Sequence, residues 1–175
     1  CTTPLARIKD ARALILSGGP ASVHEAGSPH ADPGIWQLGV PILGICYGMQ
    51  LMVADNGGSV TPGSHREFGR ATISVASDGK SDAPLFRALP KQLDVWMSHG
   101  DQAATLPPGF VVTASTSTCP YAAVYDPSRR WAGVQFHPEV VHTPEGREML
   151  SRFLFDIAGL ARNWKMSSFA VDKVK

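Results

Sequence analysis

The stretch Val40 to Val53, VPILGICYGMQLMV, is apolar almost throughout and carries Gly44, Cys46 and Gly48 at alternate positions. A run of this kind belongs inside a protein, yet a buried strand or helix would fill those three positions with larger side chains. The run divides at the cysteine. Pro41 to Ile45 suits a short, wholly buried strand of the sort found in parallel sheets. Beyond Cys46, the residues Met49, Leu51, Met52 and Ala54 continue an apolar pattern at helical length until Asn56-Gly57-Gly58 stops it. Strand, sharp turn and helix make half of an α/β unit.

The flanking sequence extends that reading. Ala13 to Leu16 is a second apolar run, read as a buried central strand that breaks at Ser17-Gly18-Gly19-Pro20, and DPGIWQLG suits a short helix. Five short β-branched or aromatic runs follow: ATISVASDG, LDVWMSHGD, GFVVTASTS, YAAVYDPS and WAGVQF, each bounded by turn residues. DPSRR, Asp126 to Arg130, reads as a hairpin connection between Tyr125 and Trp131. In TPEGREMLSRFLFDIAG, Thr143 is expected to cap a helix with Pro144 at its first position and Glu145 favouring its dipole. Met149, Leu150, Phe153, Leu154, Ile157 and Ala158 give that helix one apolar face, and Gly159 ends it.

A chain of 175 residues can bury one sizeable core. Lys and Arg number 16 against 15 Asp and Glu, with no basic block, which argues against a nucleic-acid partner. No apolar stretch reaches the length of a membrane span, and CTTPLARIKD has no signal-peptide core. Cys1, Cys46 and Cys119 cannot all pair and have no metal-ligand spacing. That usage suits a reducing cytoplasm, where a special cysteine is special for its reactivity.

Gly44-Ile45-Cys46-Tyr47-Gly48 has the form of a nucleophile elbow, G-x-S-x-G with sulfur in place of oxygen. Small neighbours let the backbone turn sharply at the nucleophile. The helix that follows supplies free N–H groups and a positive dipole end, which favour a thiolate and can hold an oxyanion. Spacing alone leaves a nucleophile and a buried core cysteine equally open. A thiol nucleophile needs a base and an orienting group. His137 follows the strand-like run WAGVQF, with Glu139 two residues on to accept from its imidazole. His99, in SHGD, is a rival base, whereas His24, His30, His65 and His142 lie in polar loops and read as solvated. SGGPAS exposes backbone N–H groups at Gly18 and Gly19 but has no phosphate-loop Lys-Ser/Thr. Asp101 and the Gly100 backbone end another strand and can hold a polar substrate group; Cys119, in STCPYA, reads as a structural thiol.

Taken together, GICYGMQ, VQFHPEV and SGGP resemble the class I glutamine amidotransferases, and SHREFG, LDVWMSHGD and GVQFHPEVVHT look like the glutaminase domain of that family's GMP synthetase branch. The resemblance runs from TTPLARIK to NWKM. It implies a flavodoxin-like, three-layer α/β fold, with a mostly parallel central sheet, flanking helices and added antiparallel hairpin strands. It implies a catalytic triad of Cys46, His137 and Glu139, an oxyanion hole from the backbone N–H groups of Gly19 and Tyr47, and glutamine-binding positions at Gln50, Ser98, His99 and Asp101. The implied reaction is glutamine hydrolysis through a Cys46 thioester, without metal or cofactor in this domain. ATP and Mg2+ are expected only in a separate ATP-pyrophosphatase (synthetase) domain of the same full-length chain, where ammonia aminates XMP to GMP, and a homodimer would form through C-terminal regions beyond this chain.

The ends depart from the family pattern. A first strand-helix-strand is missing before TTPLARIK, so residues 1–162 read as an N-terminally incomplete glutaminase domain, and 163–175 as the start of a linker. Such an end is expected to leave a sheet edge open. The alternatives are the same chemistry serving anthranilate, carbamoyl phosphate or CTP synthesis, a silent amidotransferase-like module dependent on a partner domain, and a peptidase or chaperone with an elbow cysteine. DVWMSHGD argues against the first, and the HPE context argues against the last.

Overall fold

The computed structural model describes residues 3–76 and 83–163, apart from the side chains of residues 64–66. Cys1, the His65 side chain, the end of the ATISVASDG run and all but Asn163 of the expected linker therefore lie outside the described residues. Seven strands, β1 (Leu14–Leu16), β2 (Ile42–Ile45), β3 (Ser59–Val75), β4 (Gln92–Thr105), β5 (Val111–Ser115), β6 (Ala123–Asp126) and β7 (Trp131–Val134), form one sheet in the order β1-β2-β7-β6-β5-β3-β4. Helix α1 spans Tyr47–Asp55 and α2 spans Gly146–Arg152, continued by a wider helical turn over Phe153–Ile157 that ends before Gly159 at φ 64°. DPGIWQLG forms a short 3-10 turn, Pro33–Gln37.

Alternation along the central strands sorts side chains onto two faces. Ile42 of β2 and Trp131 of β7 pack with Met52 of α1, while Val124 of β6 packs with Met49 and Val53 on the same face. Leu43, Ile45, Ala132 and Val134 point the other way, into the cluster that holds Met149, Phe153 and Ile157. Helices on both faces of a central sheet give the three-layer arrangement expected from the sequence.

The balance of pairings differs from the expected mostly parallel sheet. β1–β2 and β2–β7 are parallel, whereas β7–β6, β6–β5, β5–β3 and β3–β4 are antiparallel. Parallel neighbours need long crossovers, but Asp126 and Trp131 pair across the short DPSRR connection, which allows only an antiparallel hairpin. β3 and β4 make a longer ribbon still, with pairs from Ser59↔Thr105 to Ser74↔Gln92.

Two further expectations are corrected. β1 is not a buried central strand: it is an edge of the sheet, with Leu14 and Leu16 half-buried and Ile15 47% exposed. Thr143 does not cap α2, whose first turn starts after Glu145. Its hydroxyl instead donates to the His137 carbonyl at 2.6 Å and accepts from the Trp96 N–H at 3.0 Å. Among the described residues, no helix is long and apolar enough to cross a membrane.

The glycines around Cys46 are explained by close approach. Gly44 and Gly133 are register partners on β2 and β7, and a Cβ on either would lie within 2.8 Å of Met49. A Cβ on Gly48 would lie 2.1 Å from the Leu16 carbonyl oxygen. Helix α1 therefore sits directly on the sheet, and its first turn touches the end of β1.

Candidate active site

Cys46 stands between β2 and α1 with φ 50° and ψ −109°, in the positive-φ region that a non-glycine residue adopts only under strain. Two contacts hold it there: its N–H donates to Val134 O at 2.8 Å, and its carbonyl accepts from the Met49 and Gln50 N–H groups of α1. The sulfur is thus fixed at a helix N-terminus, where N–H groups without helical partners and the positive dipole end favour negative charge. Its thiol lies 3.6 Å from Ser98 O.

His137 arrives from the parallel neighbour of β2, three residues beyond β7. Phe136, fully buried, anchors the approach. The His137 N–H donates to Trp96 O at 3.0 Å and its carbonyl takes the Thr143 hydroxyl, so both backbone groups are held. Glu139 Oε1 lies 2.7 Å from Nδ1, which leaves Nε2 for the sulfur. The hydrogen bond with Cys46 leads in pushing the His137 pKa up to about 9; burial opposes it, and Glu139 adds to the rise. A cysteine, an imidazole and a carboxylate in line can form a thiolate–imidazolium pair with its tautomer fixed.

These groups open on a pocket of about 550 Å³, lined by Gly18 and Gly19, by Gln50, by Ser98 to Asp101 of β4, and by Cys46 and His137. The proposed oxyanion donors divide. Gly19 lines the pocket; Tyr47 opens α1 beside Cys46, with its hydroxyl turned away to donate to Pro29 O at 2.7 Å. Of the expected glutamine-binding positions, Ser98 is exposed and Asp101 half-buried, while Gln50 and His99 are buried in the wall. Gln50 Nε2 already donates to Asp101 O at 2.7 Å.

His99 is no rival base. Its Nε2 lies 3.0 Å from Glu67 Oε2 and its Nδ1 3.1 Å from Asp101 O, so neither nitrogen is free for a substrate proton. Burial leads in lowering its pKa, against the opposing charge of Glu67. Glu67, His99 and Cys119 bring ligand atoms within 4.8 Å of one another. Burial and then the Glu67 charge push the Cys119 thiol up to about 12, so with no ion beside it the sulfur holds its proton. His24 and His142 are exposed, as expected, but each has a partner: Val60 O at 2.8 Å for His24, and the Trp96 ring for His142.

Comparison with known proteins follows the same lines. The family model described as "Glutamine amidotransferase class-I" matches residues 1–157. The GMP synthase [glutamine-hydrolyzing] of Syntrophomonas wolfei is 49% identical over 95% of this chain and 32% of its own length; that of Thermobifida fusca is 49% identical over 95% and 31%. The chain thus spans about a third of the length of these relatives. A Thermoplasma acidophilum protein described as a GMP synthase component superposes with a TM-score of 0.76 at 31% identity, over 96% of this chain and 79% of that one. A glutamine amidotransferase of Thermotoga maritima, 22% identical over 90% of this chain and 81% of its own, shares the fold with a TM-score of 0.69.

Proposed function

The chain belongs to the class I glutamine amidotransferase family, and we propose from this that it hydrolyses glutamine at Cys46 and supplies the ammonia for GMP synthesis. One observation carries the reading. Cys46 and His137 leave adjacent parallel strands, β2 and β7, and meet over a pocket with Glu139 behind the imidazole.

The Cys46 thiolate attacks the glutamine side-chain carbonyl carbon, and the oxygen takes up negative charge against the backbone N–H groups of Gly19 and Tyr47. The His137 imidazolium gives its proton to the departing nitrogen, so ammonia leaves and a γ-glutamyl thioester forms. The neutral imidazole then takes a proton from water, which attacks the thioester. Collapse of that intermediate frees glutamate and restores the thiolate and imidazolium. Glu139 holds the ring and stabilises its positive form. Ser98, Asp101 and Gln50 form the wall against which glutamine lies.

The relatives named GMP synthase are about three times as long as this chain, which supports a role as the glutaminase part of a larger enzyme. In that enzyme a synthetase part would use ATP and Mg2+ to activate XMP for attack by the ammonia. Cys46→Ala in this chain is expected to abolish glutamate release and the mass shift left by a glutamine-derived diazoketone. A Cys46→Ala variant with undiminished glutaminase activity would sink the assignment. In the larger enzyme, the same variant should still make GMP from XMP with ammonium salts but not with glutamine.

A further inference from the structure

Behind the pocket wall lies a carboxylate that the proposed reaction does not use. Glu67 on β3 is the register partner of His99 on β4, and their side chains are 12% and 1% exposed. Glu67 Oε2 faces His99 Nε2 at 3.0 Å, while Oε1 accepts the hydroxyls of Thr116, at 3.2 Å, and Thr118. The other ring nitrogen of His99 faces Asp101 O at 3.1 Å, and that same carbonyl accepts from Gln50 Nε2. A continuous polar chain therefore runs from the turn after β5, through Glu67 and His99, to the pocket wall and helix α1.

The chemistry of His99 makes Glu67 its key member. Both ring nitrogens face acceptors, and a neutral imidazole has only one N–H to give. Beside an ionised Glu67, only the imidazolium satisfies both contacts at once, a form that the lowered His99 pKa disfavours. Burial and the charge of His137 disfavour that form, and the Glu67 carboxylate is the neighbour that favours it by charge. Two threonine hydroxyls fix the carboxylate in turn, so it cannot swing away without losing them.

We propose that Glu67 is a positioning residue for glutamine binding: through His99 it holds the Asp101 carbonyl and the 98–101 backbone in place against Gln50 and Cys46. It sets the affinity for glutamine and leaves the intrinsic reactivity of the thiol alone. The proposal rests on reading this pocket as a glutamine site.

The test compares two reagents at Cys46 in the full 175-residue chain. A glutamine-derived diazoketone must occupy the pocket before it alkylates the sulfur, and iodoacetamide need not. Glu67→Gln is expected to raise the half-saturating diazoketone concentration, and KM for glutamine, by about tenfold, the scale of one charge-assisted hydrogen bond. The iodoacetamide rate should stay within about twofold of the wild type, a change of about 0.4 kcal/mol or less. Thr118→Val, which removes one hydroxyl from the carboxylate, should shift KM the same way by about threefold. Unchanged KM in a folded Glu67→Gln protein, or an equal loss with iodoacetamide, overturns the proposal. Should Glu67→Gln not fold, Thr118→Val decides alone, and an unchanged KM there overturns it. A wild-type chain that reacts with iodoacetamide but never saturates with diazoketone would overturn the glutamine reading itself, a failure visible before any variant is made.

Discussion

Gly48→Ala sets two physical effects of opposite sign against each other. Gly48 lies in the first turn of α1, where alanine is intrinsically favoured over glycine by about 1 kcal/mol. Local propensity alone would therefore make the variant more stable. The structure says otherwise. The new Cβ would stand 2.1 Å from the Leu16 carbonyl oxygen, 2.6 Å from its carbon and 2.7 Å from the Leu16 Cβ. Two of these atoms are backbone, so no rotamer change relieves them, and helix and strand must part by about 0.9 Å to reach 3.0 Å. Overpacking of this kind costs about 1–3 kcal/mol. With backbone atoms as near as 2.1 Å the cost falls at the upper end of that range, so the propensity gain still leaves a net loss of about 2 kcal/mol, which lowers Tm by about 4–8 °C for a chain of this size. The effect on function should be larger than that on stability. Leu16 runs directly into Gly18 and Gly19 of the pocket, and a displacement near 1 Å at a reacting site costs about 100-fold in rate. Circular-dichroism melting and kcat/KM for glutamine, measured on the same preparation, check both parts. A variant with wild-type Tm and wild-type turnover would refute the claim that α1 is seated on β1 through this glycine.

Gly18→Ala should separate the two effects, because its Cβ would lie 2.8 Å from His137 Cε1, a ring that can turn, and 3.4 Å from Cys46 Cβ. Tm should stay within about 2 °C, since only one side chain must shift, while kcat falls by about tenfold or more as the imidazole is pushed aside; a Tm loss matching that of Gly48→Ala would contradict this. His137, with its pKa raised from 6.5 to about 9, should hold its proton at neutral pH, and Cys46→Ala should move its titration back toward 6.5 in a ring-proton NMR experiment. The sign for stability follows: the folded value exceeds the unfolded one, so this contribution is complete below about 6.5 and is lost as pH rises through about 9. Urea unfolding of wild type and His137→Asn should accordingly converge toward high pH, and a gap that widened there would reverse the reasoning.

Much of the site was legible because its chemistry is local in sequence. The elbow needs small residues within two positions of Cys46, and Glu139 follows His137 by two; spacing marked the candidates, and the family resemblance assigned their roles. DPSRR announced its hairpin for the same reason. What was hidden depends on distant partners. β3 begins at Ser59 and runs past His65, a position that reads as a polar loop in the sequence; it becomes a strand because β4 offers a ladder to pair with. Glu67 gave no signal beyond a charge within SHREFG, since its role needs His99, 32 positions on, and the threonines of a turn still further away. Thr143 matched every local rule for a cap, yet its hydroxyl is engaged by Trp96 and His137. Local grammar favoured one use of that oxygen, and tertiary contact chose another.

The two sides of the pocket differ in how they are built. Cys46 and His137 are rooted in the middle of the sheet, on strands paired on both sides. The facing wall, Ser98 to Asp101, belongs to a ribbon that, among the described residues, meets β5 at Ser74, Val75 and the Ala76 N–H. At its other end Val60 and Ala103 are buried with Met49 and Val53 of α1, so the ribbon is a span held at both ends. It is braced along its length by the Trp96–His137 hydrogen bond and by the threonine hydroxyls on Glu67. A molecule entering the pocket therefore meets two jaws set by different means: one by strand pairing at the centre of the sheet, the other by side-chain contacts along a two-stranded span.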